Sequence, residues 1–90
     1  MNKSFVVIVI TSRGIIEYEK GFRHYKNSEK YYNERLEYYK NLESKSNGEN
    51  ETTIEVSLCE YIQNGLKLEL NKIIKKQQYF LGADVYQEDR

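Results

Sequence analysis

The sequence predicts a small α+β domain with the element order β-α-β-β-α-β, and three observations predict it. The chain opens with an apolar run at residues 5–10 that is too short for a helix of ordinary length. The apolar period then changes to three or four residues, and two alternating segments follow before a second helical pattern. Because 90 residues with 39% hydrophobic side chains can build one modest core, we expect a single domain over residues 1–90.

The first two predicted elements are a strand at residues 4–11 and a long helix at residues 16–45. The strand is rich in β-branched residues and has an unbroken apolar run, which is typical of a strand covered on both faces. The helix is predicted from a wide stripe with spacings of three and four, formed by Tyr18, Phe22, Tyr25, Tyr32, Leu36 and Tyr39. A second row lies beside this stripe and consists of Tyr31, Tyr38 and Leu42.

A β-hairpin is predicted after the polar loop at residues 44–50. Apolar and polar residues alternate over residues 54–58 and again over residues 66–70. A two-residue turn would place the apolar rows of the two strands on opposite faces of the sheet. A three-residue loop at residues 63–65 aligns them and places Gly65 at the left-handed position that this loop requires, so we expect the three-residue loop.

The last predicted elements are a second helix and a short edge strand. Residues 71–82 repeat the helical spacing and end in Gly82, which is typical of a helix C-terminus. Residues 83–87 form the weakly predicted final strand, and a single helix over residues 66–81 is the alternative to a strand followed by a helix. The complete order is the ferredoxin-like arrangement.

Residues that carry chemistry are scarce in this chain. One cysteine and one histidine exclude a zinc cluster, a disulfide scaffold and an iron–sulfur site. Ser12 follows a strand without the flanking glycines of a nucleophile elbow, and His24 is the one imidazole available as a base. The turn at residues 11–14 lacks the spacing of a phosphate-binding loop. We therefore expect no enzymatic activity, no cofactor and no metal.

The sequence also predicts a cytoplasmic protein that does not contact a membrane. The apolar run at residues 5–10 has six residues, whereas a membrane span needs about twenty. No basic segment followed by a small-residue cleavage site is present. The single thiol, Cys59, fits a reducing compartment.

The tyrosines are the strongest functional signal. Six of the nine lie within residues 18–39. A tyrosine ring buries a large apolar area but keeps a polar tip, which suits interfaces. A helix over residues 16–45 would be about 45 Å long, longer than the predicted strands at about 17–27 Å. We therefore expect its excess surface to bind a protein partner or a second copy in a homodimer, through Tyr31, Tyr38, Tyr39 and Leu42.

Nucleic-acid binding is the alternative function. The formal net charge is zero, but residues 1–48 hold nine basic and six acidic side chains, and residues 49–90 hold five and eight. Basic groups beside tyrosines can bind RNA or DNA by phosphate contact and base stacking. Glutamates interleave with the basic residues, which is also typical of a solvated helix surface. The candidate residues are Arg13, Lys20, Arg23, Lys26, Lys30, Lys72, Lys75 and Lys76.

The predicted order resembles that of two ferredoxin-like families, the RNA-recognition modules and a family of CRISPR-associated nucleases. The third strand, at residues 66–70, has none of the aromatic residues on which RNA-recognition modules stack bases. The nucleases follow their first strand with an aspartate, whereas residues 11–13 here are Thr-Ser-Arg. Neither family's activity is therefore implied for this chain.

The composition of the whole chain resembles that of small accessory proteins of phages and mobile elements, in particular early proteins of phages that infect AT-rich bacteria. It has ten lysines against four arginines, eight asparagines, one alanine and neither tryptophan nor proline. Many such proteins, including anti-CRISPR proteins, are stoichiometric inhibitors, so the resemblance implies an inhibitor in the host-cell cytoplasm. The expected function is a non-catalytic module that occludes a protein or ribonucleoprotein partner.

Overall fold

The computed structural model describes residues 2–12, 14, 16–45 and 50–82, which form four strands and one helix. The elements in chain order are β1 (Asn2–Thr11), β2 (Ile16–Phe22), α1 (Tyr25–Lys45), β3 (Asn50–Asn64) and β4 (Lys67–Gly82). The strands form one antiparallel sheet in the order β2-β1-β3-β4. The fold is α+β with the order β-β-α-β-β, so the predicted ferredoxin-like β-α-β-β-α-β order is wrong.

Residues 16–22 form a strand and not the start of the helix. Gly14 has a φ of +77°, and its N–H donates to the Thr11 carbonyl oxygen at 2.9 Å, which reverses the chain after β1. Tyr18 and Phe22 then point to the same side of the sheet, opposite Val9 and residue 5 of β1. A spacing of four fits both a helix and a strand, and pairing with the central strand β1 decides between them.

Residues 67–82 form one long strand, so the predicted helix at residues 71–82 and the alternative helix at residues 66–81 are both wrong. Asn71 and Ile74 have no partner on β3, and each is a β-bulge. Each bulge moves the residues after it to the other face of the sheet. The apolar positions therefore lose their period of two and imitate a helical spacing. The predicted last strand, residues 83–87, lies outside the described residues.

The β3–β4 hairpin turns at Gly65 and Leu66, so the predicted three-residue loop is wrong. Asn64 pairs with Lys67, and Ile62 pairs with Glu69. Gly65 has a φ of +65°, and no described residue other than glycine has a positive φ, a pattern of signs typical of a type II′ turn. The expected left-handed conformation of Gly65 is confirmed, but the two-residue turn leaves the apolar rows of the strands on opposite faces.

Replacement of Gly65 by valine is expected to destabilise the protein by about 1–2 kcal/mol, because a β-branched residue is strained at a φ of +65°. The measurement is the free energy of unfolding in denaturant, with Leu66→Val at the neighbouring turn position as the control. A Gly65→Val protein that unfolds like the wild type would show that the turn does not need a left-handed residue.

The core lies between α1 and one face of the sheet, which we call the inner face. The buried side chains of the core come from β1, α1, β3 and β4. They are Val7, Val9, Tyr32, Tyr39, Ile54, Val56, Leu58, Tyr79 and Leu81. The other face, which we call the outer face, has no described element packed on it. The inner face therefore contains the tightly packed part of the molecule.

The helix is shorter than the longest strands of the sheet. With 21 residues α1 is about 31 Å long, whereas β3 and β4 have 15 and 16 residues and measure about 50 Å if straight. The expectation of a helix longer than the sheet is wrong, because residues 16–22 of the predicted helix form strand β2 and the strands are longer than predicted.

A buried carboxylate explains the bulge at Asn71. Glu60 lies on the inner face, almost fully buried, and its Oε2 accepts a hydrogen bond from the Asn71 side-chain amide at 2.6 Å. Lys3 Nζ lies 3.5 Å from its Oε1. The Asn71 hydrogen bond, and after it the positive charges of Lys3 and Lys72, hold the pKa of Glu60 below its usual value against the effect of burial. The bulge thus supplies a donor that a regular strand would not place there.

Candidate protein-binding site

An aromatic and cationic surface lies where β2 meets α1. The two-residue period of β2 brings Tyr18 and Lys20 to the inner face, and the helical period brings Tyr31, Arg35 and Tyr38 to one side of α1. We call these five residues the tyrosine patch. The patch contains two cations and no carboxylate.

Arg35 lies at the centre of the tyrosine patch. Its guanidinium carbon is 4.7 Å from the ring centre of Tyr38, 5.2 Å from that of Tyr39 and 5.3 Å from that of Tyr18. Nη2 also donates a hydrogen bond to the Tyr39 hydroxyl at 3.1 Å. The Nε atom is buried and has no hydrogen-bond partner among the described residues. Ring faces therefore hold this cation, by cation–π attraction.

Tyr31 anchors the patch to β2. Its ring stacks on Tyr18 with a centroid distance of 5.6 Å and an interplanar angle of 26°, and it contacts Phe22 at 5.5 Å. The Lys20 ammonium lies 5.0 Å from the Tyr31 ring centre. These contacts fix the relative positions of the side chains before any partner binds.

Burial raises the pKa of Tyr31 to about 12, and a hydrogen bond with Tyr18 adds to this effect, whereas the charge of Arg35 opposes it. The hydroxyl is therefore neutral at physiological pH. Burial also raises the pKa values of Tyr32, Tyr61 and Tyr79.

We expect the stabilising effect of neutral Tyr31 to be complete below pH 10 and to be lost as the pH rises towards 12. The sign follows because the folded state holds this proton more tightly than the unfolded chain, whose tyrosine titrates near 10.0. The measurement is tyrosinate absorbance during alkaline titration of the wild type and of Tyr31→Phe, with circular dichroism to verify folding. If the absorbance difference between the wild type and Tyr31→Phe titrated near pH 10, the packing of Tyr31 described here would be wrong.

The residues predicted to bind a partner occupy different environments. Tyr39 is buried in the core, Tyr31 and Leu42 are half-buried and pack against it, and Tyr38 is 51% exposed. The structure places Tyr18, Tyr38 and Tyr39 around Arg35, and Tyr31 stacks on Tyr18 beside them. Sequence reasoning missed the role of Arg35, although its spacing of four from Tyr31 was a usable signal.

The residues predicted to bind nucleic acid do not form one surface. Lys72 and Lys75 lie on the inner side of β4, whereas Lys76 lies on the outer face. Lys75 Nζ is 2.8 Å from Glu29 Oε2, and Lys76 Nζ is 3.8 Å from Glu55 Oε2. The remaining positions are Lys20 on β2, Arg23 before α1, and Lys26 and Lys30 in the first turns of α1. Arg13 lies outside the described residues.

The described side chains offer no evident catalytic arrangement. Within residues 2–12, 14, 16–45 and 50–82, no three His, Cys, Asp or Glu side chains converge as metal ligands would. Cys59 is a buried free thiol, and burial raises its pKa, which disfavours the nucleophilic thiolate. The described helix is not long and apolar enough to cross a membrane.

Comparison with protein-family models, with curated proteins and with solved structures finds no match to this chain. Its function must therefore be inferred from the geometry of its own surfaces.

Proposed function

We propose that this chain is a non-catalytic protein-binding module that occludes a surface of its partner through the tyrosine patch. One observation carries the proposal: the Arg35 guanidinium is fixed among tyrosine rings while Tyr38 and Tyr18 stay 51% and 36% exposed. Tyrosine and arginine are the residues most often found at the energetic centres of protein interfaces.

The patch is arranged before binding, which supports a role in recognition. Ring contacts hold Tyr18, Tyr31 and Arg35 in place, so little side-chain entropy is lost when a partner docks. Arg35 has several N–H donors and one hydrogen bond to a described residue, so it retains donors for a partner's acceptors. The partner we expect carries a carboxylate beside an apolar surface.

RNA or DNA binding is the alternative, since a base can stack on Tyr38 and a phosphate can bind Arg35 or Lys20. The ion pairs of Lys75 and Lys76 and their positions on opposite faces favour a protein partner, because these two lysines are paired with carboxylates and do not lie on one basic surface. The proposed setting is the cytoplasm, in agreement with the free thiol of Cys59.

The test is capture of a partner by immobilised wild-type chain, by Tyr38→Ala and by Arg35→Gln. The control is Leu66→Ala, a fully exposed position at the β3–β4 turn, remote in sequence from the patch. We expect both patch variants to stay folded and to lose at least about tenfold in affinity, while the control binds like the wild type.

A salt titration of the captured complex separates protein from nucleic acid. Phosphate contacts make the affinity fall steeply with ionic strength, whereas an aromatic protein interface is much less sensitive. Equal capture by the wild type and both patch variants would overturn the proposed site, and nuclease-sensitive capture with a steep salt slope would overturn the proposed partner class.

A further inference from the structure

No described element packs on the outer face of the sheet, which is rich in apolar side chains, although its central residues Val6, Ser57 and Cys59 are buried. Large hydrophobic residues at 47–55% exposure lie on it, namely Ile16, Leu68, Leu70, Ile73 and Phe80. Half-buried Ile8 and Ile10 extend the same surface across β1. Exposed apolar side chains in this number mark a candidate interaction face, and the charged residues Glu19, Glu55 and Lys76 lie among them. The outer face lies on the opposite side of the sheet from the tyrosine patch.

The strand register arranges this face in rows that run across the sheet from β2 to β4. One row consists of Gly21, Val6, Cys59 and Ile73. The next row consists of Glu19, Ile8, Ser57 and Lys76. The three rows that reach β2 therefore end in one β2 residue and one β4 residue, and the third pair of ends is Ile16 and Gln78.

We propose that a second copy of this chain covers the outer face, as a dimer with its two-fold axis in the interface and parallel to the strands. This axis places β4 of each copy over β2 of the other. The β2 end of a row in one copy then faces the β4 end of the same row in the other copy. Each such contact occurs twice in the dimer, because the two-fold axis repeats it. The inference is independent of the proposed function, since the tyrosine patch of each copy lies on the inner side of the sheet, outside the dimer interface.

The ends of the first row complement each other in size. Gly21 has no side chain, and a Cβ placed there would have no atom of the chain within 4 Å, so this end is recessed. Ile73 at the other end is half exposed and protrudes. In the dimer Ile73 of each copy fills the space over Gly21 of the other, while Val6 faces Cys59.

The ends of the second row complement each other in charge. Glu19 is exposed on β2, and the Lys76 side chain is 53% exposed on β4. Lys76 Nζ lies 3.8 Å from Glu55 Oε2 of its own chain, so in the dimer it lies between two carboxylates. The same axis places Lys76 of one copy opposite Glu19 of the other, in two equivalent ion pairs. The chain has a formal net charge of zero, so no overall repulsion opposes the association.

The area of the outer face is sufficient for a dimer. Three rows cross all four strands, and two further rows cross β1, β3 and β4, where only the β1 and β3 positions overlap between the copies. At about 32 Å² per position, the overlapping positions cover about 500 Å² per copy. Two copies would bury about 1,000 Å², the lower bound for a specific interface. Sheets packed this way cross at about −30° and lie about 10 Å apart.

Pairing of two β4 edges is a poorer alternative. The β4 strand is interrupted by the bulges at Asn71 and Ile74, which protect an edge from further pairing. The Phe80 N–H at this edge already donates to Glu43 of α1 at 2.7 Å. The outer face therefore offers the better surface for a second copy.

The test is a charge exchange across the proposed interface, measured by sedimentation equilibrium of the full chain. We expect the wild type to dimerise, and Lys76→Glu alone and Glu19→Lys alone each to raise the dimer dissociation constant at least about tenfold through two like-charge contacts. An equimolar mixture of the two variants restores both ion pairs in a heterodimer, and its dissociation constant should return to near that of the wild type.

The matched control is Lys67→Glu, a charge reversal on the same strand but on the inner side and beside the turn, which should leave the dimer unchanged. Circular dichroism of each variant verifies folding, and rescue by mixing cannot come from unfolded chains. A wild type that stays monomeric at millimolar concentration, or single variants that dimerise normally, would overturn the proposal. So would a mixture that shows no rescue. None of these outcomes bears on partner capture by the tyrosine patch.

Discussion

Replacement of Leu58 by alanine is expected to lower the free energy of unfolding by about 2–5 kcal/mol. Leu58 is fully buried at the centre of β3, between Val7 of β1 and β4, and contributes to the core beneath α1. Removal of three carbon atoms there loses the favourable free energy of their transfer from water to the core. The cavity that remains adds a further unfavourable term. Since a domain of this size is stable by only about 5–15 kcal/mol, this is a large share of its stability.

The same substitution at Leu66 is the matched control, because that side chain is fully exposed at the hairpin turn. We expect its effect to stay within about 0.5 kcal/mol. The measurement is urea unfolding of both variants, monitored by circular dichroism. Similar losses at the two positions would mean that β3 does not occupy the centre of the core.

Replacement of Tyr39 by alanine is expected to cost about 3–5 kcal/mol, whereas Tyr38→Ala should leave the fold intact. The two residues are neighbours in the chain, but Tyr39 is 6% exposed and Tyr38 is 51% exposed. Tyr39 also accepts the hydrogen bond of Arg35, so its loss would release the guanidinium as well.

Tyr39→Phe separates these two roles of Tyr39. The ring stays in the core, but the hydroxyl that accepts from Arg35 is removed, so we expect a loss of about 1 kcal/mol. Thermal and denaturant unfolding of the three variants provide the measurement. If Tyr38→Ala proved as destabilising as Tyr39→Ala, Tyr38 would belong to the core and would not be available to a partner.

The local sequence was sufficient to predict the elements whose spacing of apolar residues fits only one kind of secondary structure. The β-branched run of β1 is a central strand in the structure, as predicted. The expected cover on both faces is not found among the described residues, because α1 packs on the inner face alone. The tyrosine spacing predicts the helical part of residues 25–45, and Tyr32 and Tyr39 lie in the core as members of its main stripe. Gly65 has the expected left-handed conformation. In each case short-range sterics and burial favour the same conformation.

Pairing with other strands decided the secondary structure of the elements whose spacing of apolar residues fits both a helix and a strand. The spacing from Tyr18 to Phe22 fits a helix and a strand equally, and the hydrogen bonds offered by β1 select the strand. In β4 the bulges at Asn71 and Ile74 change the face of the residues after them, so a strand carries a helix-like pattern. A bulge depends on the partner strand and cannot be recognised from one sequence.

The candidate sites divide in the same way. Composition and the tyrosine row by themselves pointed to a binding surface in α1 and to Tyr38, because a half-exposed aromatic residue follows from helical spacing. Only the tertiary structure placed Tyr18 beside Arg35, since these residues belong to a strand and a helix that meet across the edge of the sheet. The apolar outer face likewise follows from the two-residue turn at Gly65 and Leu66, which sends Leu68 and Leu70 away from the core because side chains alternate along a strand.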